Sequence, residues 1–65
     1  MSNLIKGLHD EIVRCKELKK LYDEIPTGLF GSTMIQKEIG VAERAIESGD
    51  IKAMLTSLNA LRGCK

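Results

Sequence analysis

Leu4, Leu8, Ile12, Cys15, Leu18, Tyr22 and Ile25 follow one another at steps of three and four residues, and this spacing constrains the chain more than any other feature. Such steps place all seven side chains on one face of an α-helix, with Ile5 and Leu21 widening the stripe. The pattern predicts a helix over residues 3–25, begun by Ser2 or Asn3 as a cap and ended at Pro26, because a residue before proline is pushed out of helical geometry. A second stripe of Ile35, Ile39, Ala42 and Ile46 predicts a helix over 33–48. Its start reads as a capping box in "TMIQ", Thr33 to Gln36. Gly49 supplies a left-handed helix end and Asp50 a cap for a third helix over 51–62, lined by Ile51, Met54, Leu55, Leu58 and Leu61 and closed by Gly63. The expected fold is therefore all-α: a long N-terminal helix, a Gly-rich loop over 26–32 and a tight two-helix hairpin, forming one domain over residues 1–65.

A chain of 65 residues buries only about 60% of the surface that its unfolded form exposes, so it needs support beyond its own core. Cys15 and Cys64 have no CxxC spacing and no histidine cluster beside them. This argues against a disulfide framework or a metal site and predicts two free thiols. Self-association remains. A first helix of about 33 Å outruns partners of about 24 and 18 Å, and the uncovered part of its stripe, Leu8, Ile12, Cys15 and Leu18, is the expected interface of a homo-oligomer.

Ten basic and nine acidic residues give a formal charge of +1, with the signs interspersed along the chain. A nucleic-acid binder needs a basic stripe for the phosphate backbone, and none is present. The corner "AIESGDIKAM" permits a helix-turn-helix reading, but the following helix offers Lys52, Thr56, Ser57, Asn59 and Arg62 with few cations, so nucleic acid is not an expected partner. No apolar run approaches the roughly 18 residues of a membrane span, and no signal-peptide layout opens the sequence. The expected location is the cytoplasm. Carboxylates fall into surface pairs, Asp10 with Arg14 and Lys20 with Glu24, at i, i+4 spacing. His9 stands alone. No acid–base or nucleophile constellation emerges, so neither an enzyme nor a cofactor is expected.

The loop "IPTGLFGST" is the remaining feature that could carry function. It leads into a helix N-terminus, where unpaired N–H groups favour an anion. Thr27, Gly28, Gly31, Ser32, Thr33 and Lys37 could cradle a phosphate, with Phe30 and Tyr22 as flat surfaces for a base. The lysine of a P-loop is missing and no strand precedes the loop, so nucleotide hydrolysis does not follow. The competing reading is a plain connector in which Ile25, Leu29 and Phe30 pack back on the core while the glycines make the turn.

The series Ile25-Pro26-x-Gly28-x-Phe30-Gly31-x-x-Met34-Ile35, followed by an alanine-rich helix, Ser48-Gly49-Asp50 and a Met-Leu helix, resembles that of small uncharacterised proteins of phages and prophages. The likeness covers Tyr22 to Leu61. In architecture alone, the chain is similar to the oligomeric phage "sponges" that sequester nucleotide immune signals of bacteria. The resemblance implies a counter-defence protein in the cytoplasm of an infected or lysogenic host, binding a phosphate-bearing small molecule. The alternative it implies is an interaction module that inhibits or adapts a host macromolecule.

Overall fold

The computed structural model describes residues 3–65. Ser2, one of the two expected caps of the first helix, lies outside them. Among the described residues the chain forms three helices and no strand: α1 Asn3–Asp23, α2 Leu29–Ser48 and α3 Ile51–Arg62. Each packs against both others in a bundle of 40 × 17 × 15 Å.

The apolar stripes meet along the bundle axis. Leu8, Ile12 and Cys15 of α1, Ile35, Ile39, Ala42 and Ala45 of α2, and Met54 and Leu61 of α3 form the buried core. Leu4, Ile5, Leu18, Tyr22, Ile46 and Leu58 flank it. Burial of this apolar surface is what holds helices of 12 to 21 residues that would be marginal on their own.

The second corner forms as the sequence suggests. Gly49 adopts φ 72°, and its N–H reaches the carbonyls of Ala45 and Ile46. The Asp50 side chain then accepts from the backbone N–H of Ala53 at 3.1 Å. Gly63 ends α3 in right-handed geometry, with φ −78°.

The first corner differs from expectation. α1 stops at Asp23, not Ile25, and its last turn tightens through bonds from Glu24 N–H to Leu21 O (3.2 Å) and Ile25 N–H to Tyr22 O (3.1 Å). α2 starts at Leu29, four residues before Thr33. Its first turn closes when Ser32 N–H donates to Gly28 O at 2.9 Å. Thr33 therefore lies inside the helix, and the expected capping box is not used.

This earlier start makes α2, with 20 residues, nearly as long as α1, with 21. Leu8, Ile12 and Cys15 are 0%, 4% and 0% exposed within a single copy. Leu18 packs against the same core. The stripe assigned to an oligomer interface is the seam of the protomer itself.

Surface charges also pair differently. Asp10 takes Lys6, Lys20 takes Glu17 and Arg14 takes Glu11, in place of the expected Asp10–Arg14 and Lys20–Glu24 pairs. Lys16 bridges α1 to Glu43 of α2 at 3.4 Å. These exposed pairs contribute little each. Arg14 does more, because its Nη2 and Nη1 donate to the carbonyls of Leu61 (2.6 Å) and Cys64 (3.0 Å). A cation thus adds bonds to carbonyls at and just after the end of α3, where the helix dipole also favours positive charge.

Ser57 is the weak point of the core. It is 2% exposed, and its Oγ has no hydrogen-bond partner. Removing a buried hydroxyl that makes no bond, and gaining the better helix former, should stabilise the fold. Ser57→Ala is expected to raise unfolding free energy by about 1 kcal/mol, read as a higher urea midpoint at unchanged slope.

Candidate functional site

The α1–α2 corner is shaped by how closely the chain folds back on Tyr22. A Cβ at Gly28 would sit 2.2 Å from the Tyr22 carbonyl oxygen, and one at Gly31 would sit 3.3 Å from the Tyr22 ring. Neither glycine has positive φ. They are required for close approach, with the backbone of the turn against α1 and the first turn of α2 against the ring. The Tyr22 hydroxyl donates to the carbonyl of Lys65, which brings the segment after α3 across the same corner.

Two open recesses flank the first turns of α2, and they share no lining residue. One, of about 490 Å³, is lined by Lys19, Asp23, Leu29, Ser32, Thr33, Gln36 and Lys37. The other, of about 260 Å³, is lined by Tyr22, Phe30, Gly31, Met34, Ile35, Cys64 and Lys65. The residues expected to form one cradle are thereby divided. Ser32, Thr33 and Lys37 fall in the first recess; Tyr22, Phe30 and Gly31 fall in the second. Gly28 is buried in the turn, and Thr27 is exposed beside it.

In the first recess the electrostatics are mixed. Lys19 pairs with Asp23 at 3.0 Å, and the buried Ser32 hydroxyl donates to the other Asp23 oxygen. That hydroxyl is therefore already engaged. The Ser32 hydrogen bond, and after it Lys19, hold the Asp23 carboxyl below its ordinary value. A carboxylate with a depressed folded-state pKa contributes stability above its unfolded pKa of about 3.9 and loses it as pH falls through the folded value. Melting temperature should therefore drop on acidification below about pH 4, and Asp23→Asn should flatten that part of the profile.

The apolar reading of the loop fares differently. Ile25, Leu29 and Phe30, expected to pack back on the core if the loop were a plain connector, are 47%, 73% and 78% exposed. Leu21 and Met34 are exposed beside them. The corner thus presents five large apolar side chains to solvent, four of them on helices and Ile25 in the turn.

Lys19, Asp23, Leu29 and Gln36 were not singled out by sequence reasoning as part of a recess. Lys19–Asp23 is a readable i, i+4 pair, but its contact with Ser32 depends on how α2 returns along α1. Among the described residues, no group of three or more His, Cys, Asp or Glu side chains could hold a metal ion, and no helix is long and apolar enough to cross a membrane. In comparisons with known proteins, no family model, no curated protein and no solved structure matches this chain.

Proposed function

We propose that this protein acts by binding rather than by catalysis, as a homo-oligomer whose copies meet at the α1–α2 corner. The observation that carries the reading is the exposure of Leu29 and Phe30, at 73% and 78%, beside Leu21, Ile25 and Met34. Large apolar side chains held in solvent at one corner of a small fold suit an association site. The corner also carries a projection next to a hollow: the exposed Phe30 forms one wall of a recess lined as well by Tyr22, Met34 and Ile35. A surface bearing both elements can complement itself about a two-fold axis, as an isologous dimer requires. Five side chains form a small patch, so the association belongs at the weak, concentration-dependent end of specific interfaces.

Phe30→Asp tests this without harming the protomer. Phe30 makes little use of its ring inside the chain, and an acidic residue in the first turn of α2 suits the helix dipole. Sedimentation velocity should show the wild type shifting toward dimer as concentration rises, while Phe30→Asp stays monomeric with equal or higher melting temperature. A wild type that remains monomeric throughout, or a variant that associates equally well, removes the reading.

A second reading keeps a phosphate-bearing small molecule as ligand. It is supported by Lys37, Thr33 and Lys19 lining one recess whose volume lies within the range of small-molecule sites. It is opposed by the Asp23 carboxylate on the same wall. Charge-assisted bonds to an anion contribute about 1.5–3 kcal/mol each. If this reading holds, Lys37→Ala should weaken nucleotide binding roughly tenfold or more in calorimetric titration and leave association unchanged.

A further inference from the structure

The segment after α3 brings Cys64 back to Cys15, and one carbonyl oxygen organises the approach. Leu61 O accepts from the Cys15 thiol at 3.5 Å, from Arg14 Nη2 at 2.6 Å and from the Cys64 backbone N–H at 3.1 Å. Arg14 Nη1 holds the Cys64 carbonyl at 3.0 Å. The Cys64 thiol turns toward the last turn of α3, donating to Ala60 O at 3.6 Å, and Cys64 packs against the core that contains Cys15. Burial pushes the Cys15 thiol up; Arg14 opposes this and the nearby Cys64 thiol adds to it. Both cysteines are free thiols in this state.

We propose that Cys15 and Cys64 are a redox pair that closes to an intramolecular disulfide when the protein meets a low-molecular-weight disulfide such as oxidised glutathione. Accessibility orders the steps. Cys64 is half-buried and Cys15 is fully enclosed, so Cys64 is the thiol that meets and attacks the small disulfide first. Its thiolate, having released a proton to water, bonds to one sulfur of the small disulfide and expels the other half as a thiolate. Cys15 then gives its proton to solvent, and its sulfur bonds to the Cys64 sulfur, breaking the mixed disulfide and expelling the second small thiolate. Two protein thiols are oxidised, and one small disulfide is reduced to two thiols. The bond would fasten the residues after α3 to the middle of α1. Since Cys64 and Lys65 wall the recess beside Phe30, oxidation would fix that wall. The pair forms whether or not the corner mediates association.

The test is to incubate the intact wild-type protein, folded, in buffers of rising oxidised-to-reduced glutathione ratio, then to unfold it, alkylate free thiols and weigh it. The expected product is a single chain lighter by two hydrogens, refusing alkylation at both cysteines and yielding one peptide pair joined through Cys15 and Cys64. Its melting temperature should rise by on the order of 10 °C and return on treatment with dithiothreitol, because the bond closes a long loop in the unfolded chain. Cys64→Ser should leave Cys15 as a thiol under the same conditions. A lasting glutathione adduct on Cys64 with Cys15 still open to alkylation would overturn the proposal. So would a crosslink between chains, or two free thiols at every ratio.

Discussion

Ile39→Ala is expected to leave the protein barely folded at room temperature. Ile39 is fully buried midway along α2, between Ile35 one turn before it and Ala42 after it, in the core that the three helices share. Alanine there removes three carbons and leaves a hollow that a small neighbour such as Ala42 cannot fill. Truncations of this kind cost roughly 2–5 kcal/mol, against roughly 3–10 kcal/mol of total stability for a chain of this length at typical values per residue. Circular dichroism under urea should show a midpoint lowered to near zero denaturant. Ile39→Val, which removes one carbon, should lose only about 1 kcal/mol. A fully cooperative melt for Ile39→Ala close to that of wild type would mean that the three stripes do not meet where the structure places them.

The second large effect is expected at Gly28. The Tyr22 carbonyl oxygen and carbon lie 2.2 and 3.0 Å from where a Cβ would stand. Both are backbone atoms and cannot rotate aside, so Gly28→Ala must open the corner at a cost of about 1–3 kcal/mol. Gly31→Ala provides the contrast. Its Cβ would meet the Tyr22 ring at 3.3 Å, and a ring can shift by a few tenths of an ångström. Alanine also gains helix propensity of about 1 kcal/mol inside α2, so the net change should be close to zero. If the two variants melt alike, close approach to the Tyr22 backbone is not what requires glycine at 28.

The contrast explains how much of the fold the sequence made legible. Three helices were readable because apolar residues at steps of three and four can be buried together in only one way. The Gly49–Asp50 corner was readable because left-handed geometry and side-chain capping depend on local residue type. The first corner was not, because the start of α2 is set by Gly28 packing beneath α1, a tertiary contact without a local signature. "TMIQ" satisfied every local rule for a helix start, yet the helix was already under way. That four-residue difference had consequences. A short α2 implies an overhanging α1 and an interface at Leu8, Ile12, Cys15 and Leu18, whereas these residues pack into the core of a single chain.

The candidate site shows the same division. The sequence directs attention to Tyr22 to Lys37, since proline, glycines and the one phenylalanine cluster there. It could not show that Ser32, Thr33 and Lys37 line one recess while Phe30 and Gly31 line another, because that depends on how α2 returns along α1. Nor could it show Arg14 spanning to Leu61 and Cys64, since residues so far apart in the chain become neighbours only through the bundle.

On the reading proposed above, the protomer closes its own core and meets a second copy through the α1–α2 corner. A dilution series of amide correlation spectra on the isotope-labelled wild type tests it most directly. Concentration-dependent shifts should be confined to Leu21, Ile25, Leu29, Phe30, Met34 and their immediate neighbours, with Leu8, Ile12 and Ile39 unmoved. Shifts centred on Leu8, Ile12, Cys15 and Leu18, or a spectrum identical at every concentration, would contradict it.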